Sequence, residues 1–384
     1  MSDNDVYDIL DKAASGQWVA FDEGLHIYKN ASTQDLVKAS SKRMVDLWGG
    51  KGSARTYLMY YLLNYSNVCA ENCTFCNYWE ADKAEKAWTY QFEDVESSLE
   101  KYYNYGGRVI LFQGGNNYAI ENFSYYTTFL NKIKERFPEI LVFGTSPTEI
   151  FFWANKYGMS VHNVIKELKG AGLKAIAGAG AEIAHQPIRD LMFSKKITFE
   201  KWLDVMDEAC AQGLSSSASL MFGTYDGIDD RFDPEFCRLE HMDLLRERQS
   251  KTSHYRAFVA WMYQPNEGKI RTEPASYEEY IRVVCMARLY MRNFPNIQSS
   301  YLSLNEQQVG DSLEYAINCI GGVLYTPELV TGSVGAEPNN LSRKKVIDWI
   351  ENSGYKAEER DYYGRILSDP YTGRSELANQ LVEK

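Results

Sequence analysis

Short apolar runs alternate with longer stretches of helical period along most of this chain. From about Arg55 onward the runs predict strands over Tyr57–Tyr65, Val109–Phe112, Ile140–Phe143, Ala175–Ala177, Ser216–Phe222, His254–Tyr263, Gln298–Ser303 and near Val323–Tyr325. Between them the helical period predicts helices over Phe92–Tyr105, Asn122–Arg136, a segment capped by Ser160 and ended near Gly170 and Gly172, Phe199–Gln212, Glu235–Arg248, Tyr277–Asn293, Glu306–Asn318 and Arg343–Asn352. This is the βα rhythm of an α/β protein with a parallel sheet, and about eight repeats point to a (β/α)8 TIM-like barrel. A doubly wound open sheet is the structural alternative. The boundaries that follow are an N-terminal helical extension over 1–54, a barrel over 55–354, and a charged, Tyr-rich C-terminal tail over 355–384 with a turn at Pro370 and Gly373.

Composition narrows the partners. The 384 residues are 45% apolar and 24% charged, an ordinary globular mix. Forty-one basic against 52 acidic residues give a net charge of −11. Such a surface repels phosphate backbones and anionic membranes unless a basic patch exists. Lys195-Lys196 and Arg343-Lys344-Lys345 are short and flanked by acids, so no nucleic acid and no membrane partner is expected. The first residues are acidic without the apolar core of a signal peptide, and the greasiest stretch, Tyr57–Leu63, falls short of the roughly 20 residues of a spanning helix. A cytoplasmic enzyme or binding protein is the expectation.

Seven cysteines do not make a disulfide framework when Cys210, Cys237, Cys285 and Cys319 are scattered. These four read as packing residues. The other three, Cys69, Cys73 and Cys76, share one loop directly after the first strand. Soft thiolates suit an iron–sulfur cluster, and three of them leave one iron of a [4Fe-4S] cluster open to a ligand. A zinc site is the competing reading. It usually brings paired Cys units or histidines, whereas no histidine lies between His26 and His162. A loop after a barrel strand also opens on the active-site mouth.

The C-x3-C-x2-C spacing with Phe75 before the last cysteine resembles the radical S-adenosylmethionine superfamily. Further segments are similar to its dehypoxanthine futalosine cyclase, aminofutalosine synthase and FO synthase family: Tyr65-Ser66-Asn67-Val68-Cys69, Gln113-Gly114-Gly115, Ser146-Pro147-Thr148-Glu149-Ile150, Gly180-Ala181-Glu182-Ile183, Lys195-Lys196-Ile197-Thr198 and the strand ending in Gln264-Pro265. The spacing looks closest to the cyclase branch. The resemblance implies that Cys69, Cys73 and Cys76 hold a [4Fe-4S] cluster, and that S-adenosyl-L-methionine binds beside it near Phe75, Tyr78, Gln113, Gly114, Ser146, Glu182 and Met221. Arg189 would fork the methionine carboxylate. It implies reductive cleavage to a 5′-deoxyadenosyl radical, hydrogen abstraction from a small-molecule substrate, and formation of a ring or C–C bond, as in menaquinone biosynthesis. The electron would come from a donor such as a flavodoxin or ferredoxin.

Tyr60, Asn64 and Gln264 are the candidate substrate wall, and Tyr225 and Asp226 the candidate catalytic pair at the mouth. The chain departs from the family there. Phe222-Gly223-Thr224-Tyr225-Asp226-Gly227 stands where the family reads Tyr-Gly-His-x-Glu-Thr, and Phe143-Gly144-Thr145 where it reads His-Ala-Leu. Two rim imidazoles are missing, which leaves open a paralogue using the same radical on another metabolite, specialised or tyrosine-derived. An electron carrier or sensor without catalysis fits poorly, because carriers are usually small and ligate each cluster fully.

Overall fold

The computed structural model describes residues 3–76, 78–265, 270, 273–300, 304–325 and 342–362. Three helices come first: α1 (Asp3–Ala14), α2 (Phe21–Asn30) and α3 (Thr33–Trp48). The alternating part follows as β1 (Ala54–Asn64), α4 (Phe92–Asn104), β2 (Val109–Gln113), α5 (Ser124–Arg136), β3 (Leu141–Gly144), α6 (Pro147–Lys156), α7 (Val161–Ala171), β4 (Leu173–Ile176), α8 (Gln186–Phe193), α9 (Phe199–Ala211) and β5 (Ser215–Phe222). It ends with α10 (Pro234–Thr252), β6 (Tyr255–Met262), α11 (Tyr277–Tyr290), β7 (Ile297–Ser300), α12 (Glu306–Tyr315), β8 (Cys319–Tyr325), α13 (Arg343–Asn352) and β9 (Lys356–Glu359).

Every strand pairs in parallel with its successor from β2 to β8, β8 pairs with β1, and β1 pairs back to β2. Tyr61 sits opposite Ile110 on one side of β1, and Thr56 opposite Cys319 on the other. The sheet is therefore a closed barrel, and the open-sheet alternative falls. Alternation along β1 shows how closure sorts side chains. Leu58, Tyr60, Leu62 and Asn64 face the interior, while Tyr57, Tyr61 and Leu63 join the core between sheet and helices.

Two helices escaped the periodicity. Ser146-Pro147-Thr148-Glu149 starts α6 with proline in its first turn and a full capping box: the Ser146 hydroxyl accepts from the Glu149 N–H, and Glu149 accepts from the Ser146 N–H. The eight residues of α8 are too few to establish a period. The first three helices lie outside the barrel, where α3 packs on α11 and α12 and α2 on α10. Arg55 fastens them to the first strand, donating to the carbonyls of Trp48, Gly49 and Leu313 with its guanidinium 4.0 Å from the Tyr355 ring centre. Among the described residues no helix is long and apolar enough to cross a membrane.

The expected tail needs correction, because the working barrel does not stop at residue 354. Lys356–Glu359 forms β9, paired in parallel with Ala54–Tyr57. The chain then turns into the barrel interior. Tyr362 stacks on Phe143 with ring centres 4.1 Å apart, and its hydroxyl donates to the Ile176 carbonyl at 2.8 Å. With Leu58, Leu62, Val109, Leu111, Ala175 and Ala177 these two rings form a small interior cluster, separate from the main core. The turn at Pro370 and Gly373 lies outside the described residues. Tyr362→Ala should cost about 3–5 kcal/mol, as loss of a buried aromatic does. Tyr362→Phe keeps the stack and should cost only about 1 kcal/mol. Denaturant titration of both against the parent chain checks the pair, and an Ala variant of parent stability would show that this segment does not plug the barrel.

Candidate active site

A cavity of about 480 Å³ runs from the loop after β1 down into the barrel. Cys69, Cys73 and Cys76 line its upper end with Glu71, Phe75 and Tyr78. Leu58, Tyr60, Leu62, Leu111, Phe143, Val259 and Trp261 form its walls, and Gln298, Arg360 and Tyr362 lie at its lower end. Of the sequence-derived candidates, Tyr60, Asn64, Gln113, Gly114, Ser146, Glu182, Met221 and Gln264 also face it. Four atoms lining this cavity are buried without a hydrogen-bond partner among the described residues: Asn64 Nδ2, Glu71 Oε2, Thr148 Oγ1 and Arg256 Nε. Buried polar groups are normally satisfied, so orphans on a cavity wall point to a ligand that completes them.

The cysteine loop is held by its backbone rather than by its thiols. Cys69 N donates to the Glu80 carbonyl, Ala70 N to that of Asn116, and Thr74 N and Oγ1 both to that of Met192. Gly115 is required by close approach: a Cβ there would sit 2.3 Å from the Val68 carbonyl oxygen and 2.9 Å from Cys69 Cβ. A Cβ on Gly114 would strike the Tyr65 ring at 2.6 Å. The two glycines thus let the cysteine loop lie against the end of β2. Burial pushes the Cys73 thiol up to about 12 and that of Cys69 up as well. Among the described residues no three His, Cys, Asp or Glu side chains converge on the site of one ion. A cubane asks for something else, since each of three thiolates binds a different iron.

Beneath this loop Glu149 gathers three segments. Its Oε1 accepts from the Tyr65 hydroxyl at 2.8 Å and the Gly114 N–H at 3.1 Å, and its Oε2 from the Ser146 N–H and hydroxyl at 2.7 and 2.8 Å. The ends of β1 and β2 and the start of α6 therefore meet on one buried carboxylate. Burial, the largest influence, lifts its pKa to about 7 against the pull of those donors.

Glu182 adopts φ +51° on the cavity wall, and its carbonyl accepts from the Met221 N–H at 2.7 Å. Asn72 and Thr145 are also non-glycine residues at positive φ beside the mouth, at 52° and 49°. Such conformations cost about 1–3 kcal/mol and gather at functional sites. Lys196 Nζ lies 2.9 Å from Glu182 Oε1 and within 5.5 Å of the Phe75 ring centre. Burial opposes the Lys196 charge, but Glu182 and Cys73 outweigh it and hold its pKa above the ordinary lysine value.

Three candidates lie elsewhere. Arg189 is 1% exposed and does not line the cavity. Its guanidinium donates to the carbonyls of Ala181, Ile183 and Ile197 at 2.6–2.8 Å, which spends the fork expected to hold a carboxylate on pinning the segments that carry Glu182 and Lys196. Asp226 is 2% exposed and lies 2.7 Å from Arg238 Nε, and it accepts from the Thr224 N–H and hydroxyl. Tyr225 begins a single 3-10 turn and packs half-buried on the core. Neither lines the cavity, because the turn folds Asp226 back onto α10. Of the scattered cysteines, Cys237, Cys285 and Cys319 are buried and Cys210 is half-buried; Cys319 opens β8 instead of ending a helix.

The residues that sequence reasoning missed are of two kinds. Glu149 and Lys196 stood inside recognisable motifs without being singled out. Trp261 and Gln298 likewise lay in segments read as strands without being singled out, and Arg360 and Tyr362 carried no signal, because the return of β9 decides that they face inward.

A radical SAM superfamily model matches residues 63–233, and a CofH/MqnC C-terminal region model matches 252–370. The cyclic dehypoxanthine futalosine synthase of Streptomyces coelicolor is 31% identical over 93% of this chain and 87% of that protein. The chain belongs to the radical SAM superfamily. The cyclic dehypoxanthine futalosine synthase of Halalkalibacterium halodurans is 28% identical over 90% of each protein. Among solved structures the FeFe-hydrogenase maturase HydG of Carboxydothermus hydrogenoformans superposes with a TM-score of 0.70 at 14% identity, over 94% of this chain and 80% of that one. That likeness speaks for the fold alone.

Radical SAM enzymes bind a [4Fe-4S] cluster and S-adenosylmethionine, and this chain fits both. Its three thiols share one loop at the cavity, and the unpaired Asn64, Glu71 and Thr148 atoms lie on the adjoining wall. Arg189→Gln should destabilise the fold by about 3 kcal/mol, because buried carbonyls lose their donors. A melting point equal to the parent's would return Arg189 to a ligand-binding role. Glu149 makes stability depend on pH. Its folded pKa lies above 4.5, so the stabilisation it contributes is complete below about pH 4.5 and is lost as pH rises through about 7. Relative to Glu149→Gln, the unfolding free energy of the parent should fall by about 3 kcal/mol across that window and then level off. Denaturant titrations of both chains from pH 4.5 to 8 (~) would show it, and a constant gap would contradict it.

Proposed function

We propose that this enzyme uses the adenosyl radical to close a ring or C–C bond in a small aromatic, nucleoside-like metabolite, as the cyclic dehypoxanthine futalosine synthases do by name. The observation that carries the reading is that the cysteine loop and an aromatic-walled chamber open into one cavity. In this reading Cys69, Cys73 and Cys76 ligate the cluster. Phe75, Tyr78, Gln113, Gly114, Ser146 and Met221 surround S-adenosylmethionine, with Glu182 and Lys196 as its charged partners. Tyr60, Asn64 and Gln264 touch the substrate. Once bound and given one electron, the cluster and S-adenosylmethionine supply a 5′-deoxyadenosyl radical that takes hydrogen from the substrate. Leu58, Leu62, Leu111 and Val259 keep water from the chamber, which protects a carbon radical until it adds to the ring. Loss of a proton to solvent and of one electron, which the oxidised cluster or its redox partner protein would accept, restores aromaticity, so the product is lighter by two hydrogens. The electron donor is a flavodoxin or ferredoxin, and the site of action is cytoplasmic.

Phe143 favours a second reading, a paralogue with another substrate. It stands where the family resemblance places a histidine, and its ring faces the chamber between Tyr362 and Tyr60, 4.1 and 5.6 Å from their centres. A hydrocarbon edge replaces a proton-carrying one. Anaerobically reconstituted protein given S-adenosylmethionine, a strong reductant and dehypoxanthine futalosine should form 5′-deoxyadenosine and the two-hydrogen-lighter product in equal amounts. Cys73→Ala should abolish both. Formation of 5′-deoxyadenosine with the nucleoside untouched would select the second reading.

A further inference from the structure

Lys196 is mounted on the same piece of backbone as the cysteine loop. The Met192 carbonyl at the end of α8 accepts from Thr74 N and Oγ1, between Cys73 and Cys76, and the next carbonyl, that of Phe193, accepts from Lys196 N. Arg189 then holds Ile197 by its carbonyl. Lysine and thiols are therefore kept at a fixed separation by one short stretch of chain. The Lys196 side chain is 9% exposed and lines the cavity together with the three cysteines. Its Nζ lies 5.5 Å from the ring centre of Phe75, the residue before Cys76, and 5.0 Å from that of Phe193.

The charges around this corner differ in how they are used. Lys195 points to solvent, and Arg189 spends its guanidinium on three backbone carbonyls. Glu71 binds Asn116 through Oε1. Glu182 alone forms an ion pair with Lys196, at 2.9 Å. Burial is the largest influence on the Cys73 thiol and pushes it up, and Lys196 is the charge that most opposes that push. Two aromatic rings and low exposure keep water from the lysine, so its field is screened little. An electron added to an iron–sulfur cluster brings one more negative charge to the thiolates, and a fixed cation beside them favours that state. Such potentials follow the net charge around the sulfurs.

We propose that the Lys196–Glu182 pair sets the reduction potential of the cluster carried by Cys69, Cys73 and Cys76. The lysine makes the cluster easier to reduce, and the glutamate limits that effect. The pair thus acts on the cluster before any S-adenosylmethionine is present. This rests on the cluster ligation proposed above and on nothing about the substrate.

A redox titration tests the assignment without turnover. Reconstituted protein free of S-adenosylmethionine is poised at a series of solution potentials, and the reduced cluster is followed by electron paramagnetic resonance. Lys196→Gln should lower the ratio of reduced to oxidised cluster at a fixed potential about tenfold, a shift of about 59 mV for one electron. Glu182→Gln should move it by a similar factor in the opposite direction, and Lys196→Arg should stay at the parent value. A loosened loop would shift both Gln variants the same way, whereas a charge effect gives them opposite signs. An unchanged potential in Lys196→Gln, or shifts of one sign in both Gln variants, would overturn the proposal. Where Lys196→Gln assembles no cluster, Glu182→Gln decides: an easier reduction supports the role of the pair, and an unchanged or harder one removes it. A parent chain that takes up no iron would overturn the cluster ligation itself, while a clustered parent whose potential ignores both substitutions overturns only the role of the pair.

Discussion

The carboxylate of Glu149 is the point on which the upper half of this molecule converges. One buried side chain receives Tyr65 from the end of β1, Gly114 from the end of β2, and Ser146 from the start of its own helix. Barrel strands fix positions along the sheet, but the loops that follow them are free to spread. A shared acceptor removes that freedom, since releasing any donor leaves a polar group buried without a partner. The cysteine loop, the Gly-Gly segment and the Ser-Pro turn are thus tied into one surface. Three thiols stand on that surface, at the upper end of the cavity.

Arg189 works as the counterpart on the opposite wall. Its three carbonyl contacts pin the segments around Ala181, Ile183 and Ile197, which set Glu182 against Lys196. Charge in the upper cavity is therefore arranged in two tiers. An outer pair lines the cavity, and a buried cation behind it acts through the backbone. The same division holds near β5, where Asp226 and Arg238 close a turn behind Met221 without touching the chamber.

Much of this was legible in the sequence. The alternation of apolar runs marks every strand from β1 to β8, and the cysteine spacing locates the upper cavity, because both are properties of short contiguous segments. The helix α6 could have been read from Ser146-Pro147-Thr148-Glu149, a capping box that was noticed as a motif and not as a helix start. Arg189 and Asp226 lie off the cavity wall for another reason. A charged residue close in sequence to a mouth loop can point inward or turn back onto the framework, and only the packed chain decides. Residues 356–362 read as a charged tail, since four residues of β9 carry no periodicity and their partner, the start of β1, lies about three hundred positions away. Long-range pairing of that kind leaves no local trace.

The return of β9 also sets the order in which the chamber can be completed during synthesis. Translation runs from the N-terminus, so the cysteine loop leaves the ribosome early, while Arg360 and Tyr362 emerge only after all eight barrel strands. A nascent chain can therefore assemble the upper, radical-generating end while its lower end is still open. The segment that follows the eighth strand both staples the first strand and closes the chamber, so the molecule has no finished floor until that segment has been made.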